Sequence, residues 1–355
     1  MLTFINRCRS HLTPWAWTFR TGVILAVACA GLAAAGCGSS GSSSSGSNSP
    51  ASGSSGPAVS GTASVAYAGS LQDLDEKSIG PGFTKATGYQ YSGRGGGSVA
   101  VAQEIAAGEI TPNVFESIGA KPIKMLEPRF TSWYIQFAAS PIVLAYNPQS
   151  KYASELKAYA DGSKPISGLF TLLETPGFRL GRTDPNIDPQ GAAFIEMLEL
   201  AQKQYHLPAG TVEKILGGPP SSASSPEIFD ETALEPRLQA GQLDAASAFL
   251  SQAVQLHLSY IPLPDTIDFG NPAMAAHYAT ASLKLANGTV STGGPLVVDV
   301  TTIGKPTKAA GAFIAYLLSK TGLALHKAAG YTLLTPTIVG KASAVPAAVR
   351  SELSG

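Results

Sequence analysis

The chain has few charged residues and few cysteines, and both shortages limit what it can be. Charged side chains make up 14% of the 355 residues against 44% hydrophobic ones, a balance typical of a globular protein with a sizeable core. Basic and acidic residues number 24 each, so the overall charge gives no indication of a nucleic-acid partner. Any anion that this chain binds must therefore be held by local dipoles and hydrogen bonds.

Cysteine and histidine are both too sparse for the usual metal sites. The three cysteines, Cys8, Cys29 and Cys37, all lie close to the N-terminus. The rest of the chain consequently has no disulfide, no thiol nucleophile and no cysteine-based metal site. The five histidines show no HExxH motif and no paired metal-ligand spacing. We expect no metal site and no cofactor.

Residues 1–36 are typical of an export signal. Arg7, Arg9 and Arg20 carry positive charge with no acidic residue among them, and an apolar run follows and ends in small residues before Cys37. The apolar stretch of roughly 15 residues is short for a membrane span, which needs about 20. We therefore predict an export signal, with an uncleaved signal anchor as the alternative.

Cys37 and the residues after it predict an anchored protein. The cysteine directly follows Ala-Ala-Gly and resembles the lipoprotein box of bacteria, in which it becomes the acylated first residue; Ala34 stands where leucine is more usual. The Gly/Ser-rich stretch over 37–62 cannot bury a core and is typical of a flexible tether. We expect an extracytoplasmic protein held at the cell membrane by a lipid on Cys37.

From Ser64 onward, short apolar strands alternate with helical segments, which predicts an α/β fold. The glycine-rich segment 93–97 is predicted to be a turn, and 264–293 gives no clear pattern. The predicted strands cover 64–68, 89–91, 114–119, 133–147, 178–182, 244–249, 259–264 and 295–302. The predicted helices cover 98–108, 166–177, 192–205, 233–241 and 309–319.

Three strand-to-helix junctions carry small or hydroxyl residues: Ser70, Ser98 and the segment 188–191. The first turn of a helix exposes unpaired N–H groups and a partial positive charge, so such a junction suits an anion. In open α/β sheets these junctions gather at the carboxyl edge, where ligands bind. The pattern therefore favours an anion site at the edge of a sheet.

Four segments together resemble the molybdate/tungstate-binding proteins of ABC importers, with the archaeal tungstate/molybdate branch nearest. They are AGSL (68–71), GGGSVAVAQEIAAGEI (95–110), WYIQFA (133–138) and GRTDPNIDPQG (181–191). The later segments GQLDAASAFLSQA (241–253) and YIPLPDTIDFGNP (260–272) fall in matching order. The resemblance implies a two-lobed periplasmic-binding-protein type II fold, with a mixed sheet flanked by helices in each lobe and a ligand cleft between them.

The resemblance also implies how the chain is divided and what it does. Lobe 1 would consist of 63–140 and 262–345, lobe 2 of 141–261, and 346–355 would be a tail. The protein would be a monomeric extracytoplasmic solute-binding lipoprotein that binds molybdate or tungstate for import. Its partners would be the oxyanion, the membrane permease of the importer and the membrane itself, without nucleic acid.

Six residues are the candidate ligand contacts that the resemblance implies. They are the hydroxyls of Ser70 and Ser98, the backbone amides of Gln190 and Gly191, and a carboxylate from Asp188 or Asp184. Asp188 before a proline is also a preferred helix cap, and Asp184 would equally brace the loop. A carboxylate repels a dianion unless it is protonated or bonded to the central metal atom of the oxyanion.

One departure from the branch leaves the ligand open. Where the branch has a glutamate followed by a tyrosine, this chain has Ala248 and Phe249. A second carboxylate and its neighbouring hydroxyl are therefore missing. The alternative is the same fold with another cargo, such as sulfate, phosphate or an organic anion, or a role as an anchored sensor.

A serine hydrolase is the remote alternative. Lys320-Thr321-Gly322 and the Ser154/Lys157 spacing imitate two motifs of penicillin-recognising serine enzymes, in which the Lys-Thr-Gly element lies on a strand. Here it follows an amphipathic helix and more simply starts another. No Ser-Asp-Asn triplet accompanies it. We therefore predict that the chain is not an enzyme and has no catalytic residues.

Overall fold

Residues 59–223, 225 and 227–353 are the part of the chain that the computed structural model describes. The predicted export signal, the predicted lipidation site Cys37 and most of the predicted tether lie outside these residues. Within the described part, no helix combines the length and the apolar character that crossing a membrane requires.

The described residues form twelve strands in three sheets. A six-stranded sheet has the order β12-β4-β11-β3-β1-β2, a four-stranded sheet has the order β6-β7-β5-β8, and β9 and β10 form a hairpin. The strands are β1 (Thr62–Ala68), β2 (Gln90–Gly96), β3 (Val114–Ile118), β4 (Trp133–Ala139), β5 (Ile142–Tyr146), β6 (Leu180–Gly181), β7 (Ala245–Phe249), β8 (Ser259–Pro262), β9 (Ser282–Lys284), β10 (Val290–Thr292), β11 (Val297–Thr302) and β12 (Thr332–Gly340).

Helices cover the faces of the two larger sheets. A π-helical turn, Asp75–Ile79, joins the first two helices into one continuous helical path. The helices are α1 (Gln72–Leu74), α2 (Gly80–Thr87), α3 (Ser98–Ala107), α4 (Ala120–Lys124), α5 (Ala153–Ala160), α6 (Ser167–Leu173), α7 (Pro189–Gln204), α8 (Thr211–Leu216), α9 (Glu231–Gln239), α10 (Leu250–Gln255), α11 (Ala275–Tyr278), α12 (Lys308–Leu318), α13 (Lys320–Ala328) and α14 (Ala347–Leu353).

The two larger sheets belong to two lobes, and the chain passes between them twice. The six-stranded sheet takes β1–β4 from the first part of the chain and β11–β12 from the last, whereas the four-stranded sheet takes β5–β8 from the middle. Both sheets are mixed, because each contains parallel and antiparallel pairs. The predicted two-lobed α/β fold is confirmed. The boundaries assigned to the lobes remain a prediction.

The glycine-rich segment 93–97 was wrongly predicted to be a turn, because β2 continues through it as far as Gly96. Gly96 lies opposite Ala68 in the parallel pair of β1 and β2. A Cβ atom on Gly93 or Gly95 would lie 2.7 or 2.8 Å from the ring of Tyr67. The glycines therefore make room for a tyrosine packed across the strand, which the local sequence does not reveal.

The segment 264–293, which has no clear sequence pattern, forms α11 and the β9–β10 hairpin beside α7. The amide of Ser282 donates to Glu199 Oε2 at 3.1 Å, and Lys203 Nζ donates to the carbonyl of Thr280 at 2.7 Å. At the other end of the chain, part of the segment expected as a tail forms α14 and buries Val349.

Helix α7 is buried on all sides over its first half, which fixes the position of its N-terminus. Every residue from Gln190 to Leu198 is buried. A helix held on all faces cannot shift without losing core contacts, since protein interiors are close-packed. The segment before it is therefore held at one place on the side of lobe 2 that faces lobe 1.

The Lys320-Thr321-Gly322 motif opens α13, as its place in the sequence predicts. Ser319 caps this helix, and its Oγ accepts a hydrogen bond from the amide of Gly322 at 3.2 Å. The motif thus lies at a helix start and not on a strand.

Candidate functional site

Ser70 and Ser98 follow neighbouring strands at the carboxyl edge of the lobe 1 sheet. In the parallel pair of β1 and β2, Ala68 lies opposite Gly96, and each serine follows its strand by two residues. The carboxyl edge of parallel strands is where ligands bind in open α/β folds. The register of the sheet thus brings the two predicted serines to neighbouring junctions.

Ser70 has a buried hydroxyl that the described residues leave without a hydrogen bond of good geometry. The residue lies in the short turn Gly69–Leu71 and is 2% exposed. The hydroxyl of Tyr331 donates to the Ser70 carbonyl at 3.4 Å and helps to hold the turn. Ser70 lines a cavity of about 140 Å³. Since buried hydroxyls are normally paired, a ligand in this cavity would explain the unpaired one.

Ser98 is the first residue of α3 and is fully buried. Its Oγ accepts a hydrogen bond from the amide of Ile118, at the end of β3, at 3.2 Å. A serine hydroxyl that accepts in this way keeps its own O–H group for another acceptor. The bond to β3 therefore orients the hydroxyl and leaves it able to donate to an anion.

On the side of lobe 2, Asp188 caps α7. Its Oδ1 accepts a hydrogen bond from the amide of Gln190 at 2.8 Å. Asp188 is 3% exposed, and its Oδ2 has no hydrogen-bond partner of good geometry in the described residues. Burial raises the pKa of Asp188 to about 7, although the Gln190 amide and the Thr183 hydroxyl act to lower it. Asp188 is thus a helix cap whose second oxygen is still available.

The two backbone amides predicted as ligand contacts differ in their hydrogen bonding. The Gln190 amide donates to Asp188, while the Gly191 amide, in the first helical turn, has no intrahelical acceptor. A Cβ atom on Gly191 would collide with the backbone of Thr183, so only glycine lets the helix start approach this closely. Of the two amides, that of Gly191 is the better placed to donate to a ligand.

The Gln190 side chain ties α7 to the neighbouring elements of lobe 2. Its Nε2 donates to Gln252 Oε1 at 2.9 Å, and its Oε1 accepts from Ser247 Oγ at 3.2 Å. Gln252 Oε1 also accepts from the amide of Phe249 at 2.9 Å. This buried network fixes the start of α7 against β7 and α10.

Asp184 braces the loop before α7. Its Oδ1 accepts from both the amide and the side chain of Asn186, at 2.9 and 2.7 Å, and its carbonyl accepts from the amide of Asp188 at 3.0 Å. Asp184 also lines a cavity of about 550 Å³ between the lobes. A direct contact between Asp184 and a ligand remains a prediction.

The two lobes touch directly beside this loop. The amide of Ala100, in the first turn of α3, donates to the carbonyl of Ile187 at 3.1 Å. A Cβ atom on Gly97 would lie 2.9 Å from the same carbonyl oxygen and 3.2 Å from Asp188 Cβ. The start of α3, which carries Ser98, therefore packs against the loop that carries Asp188.

Position 248 supplies no polar group. Ala248 and Phe249 are both buried in the apolar core, and Ala248 pairs with Val143 of β5. The end of β7 is therefore apolar where the related branch carries a carboxylate and a hydroxyl.

Sequence reasoning missed two carboxyl groups at this site, Glu231 and Glu235. Both lie on α9, are 3% exposed and line the Ser70 cavity. Burial raises the pKa of Glu231 well above its usual range, and it raises that of Glu235 to about 8. The one sequence signal was the acidic pair Asp230-Glu231 at a helix start, which is equally typical of an ordinary helix.

The arginines near these segments are engaged elsewhere. Arg94 forms an ion pair with Glu104 on α3 at 2.8 Å, and Arg182 donates to the carbonyl of Ser222 at 3.1 Å. In the described part of the chain, no lysine or arginine forms an ion pair with Asp188, Glu231 or Glu235. An anion here would be held by hydrogen-bond donors and helix termini.

The buried carboxyls predict that the ligand-free protein loses stability as the pH rises. Burial raises the pKa of Asp188 and Glu196 to about 7, and that of Glu235 and Asp299 to about 8. These groups ionise near pH 4 in the unfolded chain. Between about pH 4 and 8 the folded chain therefore binds more protons, and the free energy of unfolding falls with rising pH.

His326 has the opposite effect, but only at lower pH. Burial lowers its pKa to about 4, so its contribution to stability is lost as the pH falls from about 6.5 to 4. We expect the melting temperature to fall by several degrees from pH 6.5 to pH 8, and Glu235→Gln to reduce this slope. A melting temperature that rises over this range would contradict the raised pKa values of the buried carboxyls.

With the geometry established, comparison with known proteins identifies the family. Residues 63–332 match the family model described as bacterial extracellular solute-binding protein. The chain belongs to this family. The resemblance predicted from the sequence is thereby confirmed, and the chain's relatives are solute-binding proteins rather than enzymes.

Two relatives of this solute-binding protein carry informative names. One, from Haloferax volcanii, is named as an ABC transporter molybdenum-binding protein and is 31% identical over 235 residues, which is 66% of this chain and 70% of the relative. The other is the molybdate/tungstate-binding protein of Thermococcus kodakarensis, 31% identical over 196 residues. That match covers 51% of this chain and 54% of the relative, so it spans about half of each.

A solved structure supports the fold. The periplasmic molybdate-binding protein of Azotobacter vinelandii superposes with a TM-score of 0.52, covering 76% of this chain and 98% of that one. The two sequences are 20% identical, so the likeness concerns the fold alone.

Proposed function

We propose that this solute-binding protein binds a tetrahedral oxyanion, molybdate or tungstate, in the cleft between its lobes and delivers it to the membrane permease of an ABC importer. The observation that carries the proposal is the pair of buried serine hydroxyls at neighbouring strand ends. Ser70 lacks a hydrogen bond of good geometry in the described residues, and the start of α3, with Ser98, packs against the loop before α7. The names of the relatives agree with this ligand.

The proposed contacts are hydrogen-bond donors from both lobes. Lobe 1 contributes the hydroxyls of Ser70 and Ser98, and lobe 2 contributes the amide of Gly191 at the start of α7. Gln190 and Asp188 form the cap that shapes this helix start, and Asp184 holds the loop. Since the donors come from both lobes, all of them reach the anion only when the lobes are closed.

The expected energies of these hydrogen bonds are large enough for micromolar binding of the anion. A hydrogen bond to a charged group contributes about 1.5–3 kcal/mol, and a helix terminus about 0.3–1 kcal/mol. Several such contacts, less the cost of association, reach the roughly −8 kcal/mol of micromolar binding. No lysine or arginine in contact with the anion is required.

A second candidate is the same fold with another anion, and the apolar pair Ala248-Phe249 favours it. Without a carboxylate on β7, one contact to the central metal atom of molybdate or tungstate is lost. Sulfate, phosphate or an organic anion would not need that contact. An anchored sensor for such an anion would not need it either.

Thermal denaturation with a panel of anions separates these candidates. We expect millimolar molybdate or tungstate to raise the melting temperature, because a ligand that binds only the folded state stabilises it. Sulfate and phosphate at the same concentration serve as controls. If sulfate or phosphate raises the melting temperature and molybdate and tungstate do not, the ligand is not molybdate or tungstate.

We further propose that the protein is exported by residues 1–36, lipidated on Cys37 and tethered to the cell membrane as a monomer. The basis is the sequence pattern, together with a family whose members are extracellular solute-binding proteins. The mass of the N-terminal fragment from membrane-extracted protein tests this, and a free Cys37 on an uncleaved chain would contradict it.

A further inference from the structure

Helix α9 places a carboxyl of lobe 2 against the Ser70 junction of lobe 1. Glu231 is the first residue of α9, and a Cβ atom built on Gly69 would lie 2.8 Å from its Oε2. The hydroxyl and amide of Ser70 act on the same carboxyl and lower its pKa against the larger effect of burial. Any anion held by the Ser70 hydroxyl therefore lies within reach of Glu231.

The Glu231 side chain is buried, and no lysine or arginine of the described residues forms an ion pair with it. It is 3% exposed, and its Oε2 has no hydrogen bond of good geometry in the described residues. Ser70 Oγ, in the wall of the same cavity, is also without such a bond. A serine hydroxyl and a carboxyl group, both in side chains more than nine-tenths buried, thus lie in the wall of one cavity of about 140 Å³. A polar ligand in this cavity would give each of them a further hydrogen-bond partner.

Several of the groups close to Glu231 are carboxyls. Asp188 and Glu235 both raise its pKa, after burial itself. Arg237 of the same helix lines a cavity together with Glu231, and its Nη1 donates to Gln242 Oε1 at 3.0 Å. The titratable groups around Glu231 are Asp188 from the loop before α7, Glu235 from α9, Asp73 from α1 and Tyr331 from the segment before β12.

This acidic environment decides the form in which Glu231 meets an anion. A neutral carboxyl has one O–H donor, whereas a carboxylate can only accept and would repel an anion. The described residues hold no group of three or more His, Cys, Asp or Glu side chains placed to bind a metal ion, so a cation site is not indicated here. The environment therefore suits an anion that accepts a hydrogen bond from the protonated carboxyl group of Glu231.

We propose that Glu231 is a ligand-contact residue that donates a hydrogen bond to the bound oxyanion as the neutral acid. The inference rests on the proposed function and adds a lobe 2 contact to it. It also assigns a donor from α9 to the cavity that Ser70 lines. Anion binding is then linked to protonation, so affinity falls at high pH.

Calorimetric titration of the full folded protein with molybdate at pH 6, 7 and 8.5 tests the proposal. We expect Glu231→Ala to weaken binding at least about tenfold at pH 6, since it removes a donor to a charged ligand. Glu231→Gln keeps an N–H donor of the same shape, so its affinity at pH 6 should stay within about threefold of wild type. Its affinity should also fall less than that of wild type between pH 6 and 8.5.

Asp299→Asn is the matched control, because Asp299 is also a fully buried carboxyl but lies on β11 and lines neither the Ser70 cavity nor the cavity beside Asp184. Its affinity and pH profile should follow wild type. Unchanged binding by Glu231→Ala would overturn the proposal, and tighter binding would show instead that Glu231 occupies the anion site in the free protein. If wild type and Asp299→Asn also fail to bind molybdate or tungstate, the proposed function itself fails and the inference falls with it.

Discussion

Replacing Ser70 and Ser98 together by alanine is expected to weaken molybdate and tungstate binding by at least about 100-fold. Each hydroxyl donates to a charged ligand, a contact worth about 1.5–3 kcal/mol, or roughly 10- to 150-fold in affinity. The loss should appear in calorimetric titration of the double variant. Stability should change less, because the Ser70 hydroxyl has no hydrogen bond of good geometry to lose in the described residues.

The hydroxyl of Ser98 also accepts a hydrogen bond from the Ile118 amide. Losing that bond should cost about 1 kcal/mol of stability, which leaves the protein folded. Ser117→Ala is the matched control: it removes a buried hydroxyl in the same lobe that is bonded to the carbonyl of Gly119. A double variant that binds within threefold of wild type would remove the two serines from the site.

Gly97→Ala is expected to weaken anion binding about tenfold or more without unfolding either lobe. The added Cβ atom would lie 2.9 Å from the carbonyl oxygen of Ile187, on the opposite lobe, so the lobes must move apart. Gly97 has a φ of −56°, which alanine adopts freely, so the backbone itself is not strained. Since the donors come from both lobes, incomplete closure separates the anion from some of them.

Gly96→Ala controls for the extra methyl group. Its Cβ atom would meet only the Val101 side chain, at 3.2 Å and within lobe 1. Affinity should then stay near that of wild type. Equal affinities for Gly97→Ala and wild type, measured by the same titration, would show that contact at this point does not limit closure.

Much of the fold follows from local sequence signals. The strand-to-helix junctions at Ser70 and Ser98 were predictable, because a short apolar strand followed by a small or hydroxyl residue and a helical pattern is a local feature. Helix α7 was predictable for the same reason. The glycine-rich part of β2 was not, because its role depends on the Tyr67 ring, which packs across the sheet from another strand.

The site itself was only partly predictable. Asp188 could be read from sequence as a cap or as a ligand, and the hydrogen bond from Gln190 now shows the cap while leaving Oδ2 without a partner of good geometry in the described residues. Glu231 could not be found, because its contact with the Ser70 junction exists only once two lobes far apart in sequence have packed together. Contacts of this kind depend on tertiary closure and leave no local pattern.

The most direct test of oxyanion binding is the molybdenum content of the protein after equilibrium dialysis. The folded domain would be dialysed against micromolar molybdate with a hundredfold excess of sulfate, and bound molybdenum measured by elemental mass spectrometry. We predict close to one molybdenum atom per chain, and much less for the Ser70→Ala/Ser98→Ala variant. A protein that retains no molybdenum, with or without sulfate, would contradict molybdate as the ligand.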